Sequence, residues 1–200
     1  MIRVELIVEV DGKEVYRGPS KSFVRNMGIV LAGMLKNNGD AGTFKSVVVT
    51  GLDGGSTYAY VELPAPGNYS AGPLVFNAGD NDDSFGIVVG SGSAPVSPYD
   101  YNLASKIPHG TGTGQLDYDT HSTISSYGGS SSYVEISRTF VNKSGSDVVV
   151  REVGLVGCSF HSYQDIYYKF MVARDVLPNP VTVKPLASLI VRYRLSLALT

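Results

Sequence analysis

The sequence predicts a mainly β protein: a single antiparallel β-sandwich, jelly-roll-like, with one main α-helix near the N-terminus. Three observations carry this expectation. The first is strict alternation at both ends of the chain. Ile2, Val4, Leu6, Val8 and Val10 oppose Arg3, Glu5 and Glu9, with Ile7 as the exception. Leu189, Val191, Tyr193, Leu195, Leu197 and Leu199 oppose Ser188, Arg192, Arg194, Ser196 and Thr200. A period of two places one set of side chains on one face of a strand. The second is a succession of shorter apolar runs with turn formers between them, at the spacing of about 8–12 residues that marks a sandwich or barrel. The third is a single segment of helical period, in which Phe23, Met27, Val30, Leu31 and Met34 recur.

Taken in order, residues 2–10 form the first strand and 13–17 its return, because Asp11-Gly12 is a strong two-residue hairpin signal. The helix follows at about 20–36, with Ser20 or Ser22 as cap and Asn37-Asn38-Gly39 as stop. Gly28 and Gly33 inside it each cost about 1 kcal/mol relative to Ala. They suit a helix packed closely on a sheet. Residues 44–52 and 58–63 read as two strands around Asp53-Gly54-Gly55, and 85–89 as a buried strand. One helical turn is expected within 99–107. Beyond Gly114 the chain reads as strand and turn: 133–141, a turn at 142–147, 148–158, 165–174, an interruption at Pro178-Asn179-Pro180, and the terminal strand. No repeat or boundary divides the chain, so residues 1–200 read as one domain.

The 200 residues include 43% hydrophobic side chains, enough for a real core. A chain of this size buries roughly 70% of its unfolded surface. Gly (23) and Tyr (13) are abundant and Trp is absent, as expected of many turns and half-buried strands. A net charge of −2 argues against a nucleic-acid coat or a membrane-surface protein. The single cysteine, Cys158, excludes an intrachain disulfide and reads as a buried thiol. Charges within the N-terminal apolar stretch are unlike a signal peptide, so synthesis in the cytoplasm is expected. No apolar run approaches the roughly 20 residues of a membrane helix.

Little in the sequence points to catalysis. His109, His121 and His161 lie far apart in Gly/Ser/Thr-rich contexts without metal-ligand spacing. Cys158 and His161 lack the third group and oxyanion site that a nucleophile needs. Gly90-Ser91-Gly92 lacks the rest of a dinucleotide fingerprint. Asp80, Asp82 and Asp83, with Asn81, supply hard oxygen ligands suited to calcium, and also read as a solvated turn. No other cofactor is expected. If 148–158 folds back on 133–141, Glu152 falls diagonally opposite Arg138, as a structural ion pair that sets strand register. Arg174-Asp175 reads in the same structural way.

The runs Phe85-Gly86-Ile87-Val88-Val89-Gly90-Ser91-Gly92, Pro95-Val96-Ser97-Pro98-Tyr99-Asp100-Tyr101-Asn102-Leu103 and His109-Gly110-Thr111-Gly112 are followed by Ser137-Arg138-Thr139-Phe140 and Val150-Arg151-Glu152-Val153-Gly154-Leu155. The chain closes with Ala173-Arg174-Asp175-Val176-Leu177 and Pro180-Val181-Thr182-Val183. This pattern, over roughly residues 76–200 and with 20–25 before the helix, resembles a family of uncharacterised structural proteins of tailed phages and other prokaryotic viruses. The Arg151-to-Leu155 strand has a local likeness to phage tail-fibre proteins. The resemblance implies a virion component and transfers no catalytic residue.

A non-enzymatic virion subunit is therefore expected: a capsid-decorating, tail or fibre protein partnered by its own copies and other virion proteins. Two readings stand beside it. One is an extracellular filament, pilus-like or adhesion subunit that shares strands. The other is a carbohydrate-binding module, whose Tyr99, Tyr101, Tyr127 and Tyr163 would stack on a host-surface glycan. Self-assembly is expected also because residues 2–10 and 189–199 contain no Pro, Lys or Gly. Long strands without such residues pair within a sheet, are covered, or are capped by a neighbour. Ile7 and Ile190 would add an apolar spot on the outer face for a partner.

Overall fold

The computed structural model describes residues 2–20, 22–35, 46–61, 72–128, 131–161 and 165–198. Its strands are β1 (Ile2–Val10), β2 (Lys13–Pro19), β3 (Ser46–Thr50), β4 (Ser56–Tyr60), β5 (Gly72–Val75), β6 (Gly86–Gly90), β7 (Asp117–Gly128), β8 (Ser131–Val141), β9 (Val148–His161), β10 (Ile166–Val183) and β11 (Ser188–Ala198). One helix, α1 (Arg25–Leu35), lies between β2 and β3. The protein is mainly β and antiparallel, as expected. A five-stranded sheet runs β2-β1-β11-β8-β7. A second sheet runs β10-β9-β5, with β6 also paired to β9, and β3-β4 form a separate hairpin. Both larger sheets feed one hydrophobic core. The strand order, built from adjacent hairpins, does not establish a jelly-roll winding.

Both long terminal strands lie inside the first sheet. β1 pairs with β11 from Ile2↔Leu197 to Val10↔Leu189, and β11 pairs in turn with β8. The sheet edges are thus β2 and β7. The inner face stacks in cross-strand rows. Val10, Leu189, Phe140 and Tyr118 form one; Val8, Val191, Arg138 and His121 the next; then Leu6, Tyr193, Ile136 and Thr123; then Val4, Leu195 and Val134. Tyr118 meets Phe140 edge to face at 4.8 Å between ring centroids. The outer face is a lattice of charge. Glu135 binds Arg194 at 2.6 Å and Arg192 at 3.4 Å, and Arg192 also binds Glu9. Ile7 pairs with Arg17 on one side and Arg192 on the other and is only 1% exposed. The long arginine stems cover it, so it offers no apolar spot to a partner.

Asp11-Gly12 makes the expected hairpin, with φ of 49° and 75°, the sign a tight two-residue turn requires. The helix starts later than its periodicity suggests. Residues 22–24 are drawn to the edge of β10: Phe23 bridges Ala173, Val24 N–H donates to Val172 O at 3.1 Å, and Ser22 O accepts from Arg174 N–H at 3.0 Å. Ser20 turns its hydroxyl to Asp175 at 2.8 Å. Asn26 then fastens the helix, donating to Thr50 O and Met171 O at 2.8 and 3.0 Å and accepting from Thr50 N–H at 2.9 Å. Gly33 allows close packing on the β3-β4 hairpin, because a Cβ there would lie 2.6 Å from Val47. The expected stop at residues 37–39 lies outside the described residues.

Residues 99–107 hold no helical turn. The end of this stretch runs back along β6, with Ile107 N–H donating to Val89 O at 2.9 Å and Gly90 bridging Lys106. Pro178-Asn179-Pro180 sits in a register shift of β10 between Val176 and Val181 without ending the strand. The 142–147 turn does not fold β9 back on β8. It carries the chain from one sheet to the other, and Asn142, fully buried, holds it by donating to Val183 O and Ser146 O at 2.7 and 2.9 Å.

Two outcomes are expected. Phe140→Ala should lower the free energy of unfolding by about 3–5 kcal/mol in urea denaturation, because the ring is fully buried between Leu189 and Tyr118. Burial, reinforced by the neighbouring Asp175, raises the Tyr193 phenol well above its ordinary value, and burial also raises Tyr118. Stability from these neutral phenols is complete below about pH 10, where the unfolded chain also keeps its protons. Above that it falls, by up to about 1.4 kcal/mol per phenol per pH unit, because the unfolded state ionises first. Urea melts between pH 8 and 11 should show this loss, and Tyr193→Phe should make it shallower.

Candidate functional site

Glu152, on β9, has no exposure to solvent. Its Oε1 accepts Ser105 N–H at 2.8 Å and Gly92 N–H at 3.1 Å. Its Oε2 accepts Ala104 N–H at 3.1 Å and both Nε and Nη2 of Arg174, each at 2.8 Å. Arg174, on the neighbouring β10, reaches on to Asp100 Oδ2 at 2.8 Å and to the carbonyls of Ala94 and Pro95 at 2.9 and 3.4 Å. Burial alone would lower the pKa of Arg174. The bonds to Asp100 and Glu152 outweigh it and raise the value. Residues 91–105 are thereby tied to two strands of the second sheet through one buried charge cluster.

This overturns the expected Arg138–Glu152 pair. β8 and β9 belong to different sheets, so their side chains do not meet across a ladder. Arg174 takes the place beside Glu152. Sequence reading placed Arg174 in a structural ion pair without finding its partner. A signal was present in Gly90-Ser91-Gly92: a Cβ at Gly90 or Gly92 would stand 2.6 or 2.4 Å from Glu152 Oε1. These glycines let backbone approach a carboxylate.

Arg138 is 1% exposed on the inner face of β8. It donates to Gly79 O at 3.0 Å and Phe85 O at 3.3 Å, and its guanidinium carbon lies 4.8 Å from the centre of the Tyr118 ring. Burial lowers its pKa, against the more distant attraction of Tyr118, Asp82, Asp83 and Asp80. Its Nε and the Nδ1 of His121, directly across the ladder, are buried without a hydrogen-bond partner.

The acidic turn does not gather its carboxylates. Asp82 accepts from Ser84 N–H at 2.8 Å and from the Ser84 hydroxyl. Asp83 turns away to Lys106 at 3.0 Å and His109 N–H at 2.8 Å, and Asp80 is exposed. Burial opposes ionisation of Asp83, but these two partners hold its pKa below the ordinary value. Among the described residues no group of three His, Cys, Asp or Glu is placed to hold a metal. Asp80, Asp82 and Asp83 thus face different surroundings, as in a solvated turn.

The remaining candidates disperse. His109 Nδ1 lies 3.5 Å from Asp117 and accepts Tyr118 N–H at 3.2 Å. Cys158 is buried, and burial pushes its thiol pKa up. Tyr99 and Tyr101 are exposed, Tyr101 resting on the Gly54 turn. Tyr163 lies outside the described residues.

A cleft of about 450 Å³ lies between the sheets at one end of the sandwich. Val4, Val134, Ile136, Leu195, Leu74 and Phe76 form its walls, with Phe23 and Met27 beside them. Along β11, Leu189, Val191 and Tyr193 are buried, whereas Leu195 is 43% and Leu197 44% exposed. The apolar stripe thus continues past the point where the described part of the second sheet covers it. Among the described residues on the cleft wall the one ionisable side chain, Tyr193, donates to Asp175 at 3.0 Å. No helix among the described residues is long and apolar enough to cross a membrane.

Paired substitutions test the charge network. Glu152→Gln or Arg174→Met alone should each cost about 3–5 kcal/mol, because a buried charge is left unpaired. The double variant should cost much less than their sum. An Arg138/Glu152 cycle should be additive within about 0.5 kcal/mol, as for residues without a shared partner.

Comparison with known proteins found no matching family model, no matching curated protein and no matching solved structure.

Proposed function

We propose that this chain is a non-enzymatic structural subunit that assembles with copies of itself, and that the assembly is a virus particle or part of one. The observation that carries the first half is the exposed apolar end of the inner face of the five-stranded sheet, which no described residue covers. Leu195 and Leu197 continue a buried stripe into solvent, beside an apolar cleft. Exposed apolar patches of this kind mark interaction surfaces. The charges within the protein fit the same reading. Glu152, Arg174 and Asp100 are spent on holding a loop, and Asp83 on Lys106 and His109. Among the described residues that line the cleft, the one ionisable group is the Tyr193 hydroxyl, which is bound to Asp175. The virion assignment rests on the sequence resemblance to phage structural proteins.

Light scattering and negative-stain microscopy on the purified protein across about 1–200 μM test the first half. Mass should rise with concentration, as expected of an interface at the small end of the specific range. A constant monomer mass throughout would defeat it. Search of purified particles by mass spectrometry for peptides of this chain tests the second half.

A further inference from the structure

The turn that enters β11 is built around an unfavourable choice. Lys184-Pro185-Leu186-Ala187 closes with Ala187 N–H donating to Lys184 O at 3.0 Å, and Leu186 stands at φ 68°. This turn needs a positive φ at its third position, where Gly or Asn is the ordinary residue. A γ-branched side chain there is strained. Leu186 is also the most exposed large apolar residue among those described, at 85%. It gains nothing inside its own fold from being leucine.

Hydrogen bonds hold the backbone of the turn. Leu186 N–H donates to Asn142 O at 2.7 Å, and Ala187 O accepts Asn142 N–H at 3.0 Å. Asn142 is itself locked to Val183, Ser144 and Ser146. The backbone that carries the leucine is therefore fixed, so little main-chain freedom is lost when a partner covers it.

Leu186 lies just before β11 begins, and the apolar cleft lies toward the other end of that strand, at Tyr193 and Leu195. The nine residues between span about 30 Å of strand. An exposed apolar knob and an apolar hollow thus lie toward opposite ends of one strand. We infer that the Leu186 turn of one copy seats in the Val4–Val134–Leu195 cleft of the next, joining subunits head to tail.

The area suits this use. An end face five strands wide, at about 4.8 Å per strand, and two sheets thick, at about 10 Å between sheets, covers several hundred Å² per copy. Specific contacts bury roughly 800 Å² per partner, so one such joint lies at the weak end of that range and forms at high local concentration. A contact between two different surfaces repeats, closing into a ring or extending as a filament according to the rotation between copies. This rests on the proposed self-assembly and names the surfaces that perform it.

Leu186→Gly separates the effects, because it removes the knob and the strain together. Self-association by analytical ultracentrifugation should weaken roughly 10–100-fold, the worth of burying one leucine. The melting temperature of the dilute monomer should be no lower than that of the parent. Leu186→Lys should weaken association at least as much. Leu195→Asp, or Leu195→Ser if the aspartate variant does not fold, should block the other end. Mixing a knob variant with a cleft variant should give one-to-one pairs and nothing longer, since each retains one intact surface. Parental assembly that survives Leu186→Gly, or a mixture that yields no pairs, overturns the inference and leaves self-assembly standing through another surface. A parent that stays monomeric overturns both.

Discussion

A carboxylate with no access to water must be met by donors on every side, and Glu152 is met by five: three backbone amides and two nitrogens of Arg174. Much of the second sheet's shape follows from that requirement. The amides belong to Gly92, Ala104 and Ser105, so a long loop without regular structure is drawn against β9 at both of its ends. Arg174 carries the demand onward to Asp100 and to two carbonyls of the same loop. Because residues 22–24 hydrogen-bond to the β10 backbone at residues 172–174, the start of the helix is tied to the same region. Glycine at 90 and 92 is the steric condition for all of it.

The first sheet obeys a different constraint. Its inner face is a ladder of rows whose burial falls from Leu189 toward Leu197, while its outer face is closed by arginine–carboxylate pairs. The outer face leaves no apolar surface at Ile7. The inner face does, at one end. A sandwich of unequal sheets therefore presents its hydrophobic surplus in one direction, whereas the strained leucine points out at the other end of β11.

Legibility followed the range of the interaction. The alternation of β1 and β11 and the Asp11-Gly12 turn depend on neighbours within a few residues, and each is found where the sequence places it. The Arg138–Glu152 pair failed because it assumed that a turn between two strands joins them in one sheet. Asn142 instead sends the chain across the core. The partners of the acidic turn were equally out of reach, because Lys106 and His109, which draw Asp83 aside, lie more than twenty residues away in sequence. The helix start moved because residues 22–24 found β10 as a partner.

By itself the sequence determined the strand-rich class, the faces of the terminal strands, the single helix and the tight first hairpin, because side-chain period and turn chemistry act locally. The tertiary structure decided which strands share a sheet, which arginine meets Glu152, and how far along β11 the apolar face stays buried. These outcomes depend on segments tens of residues apart competing for the same hydrogen bonds and the same buried space, and local pattern carries no record of who wins.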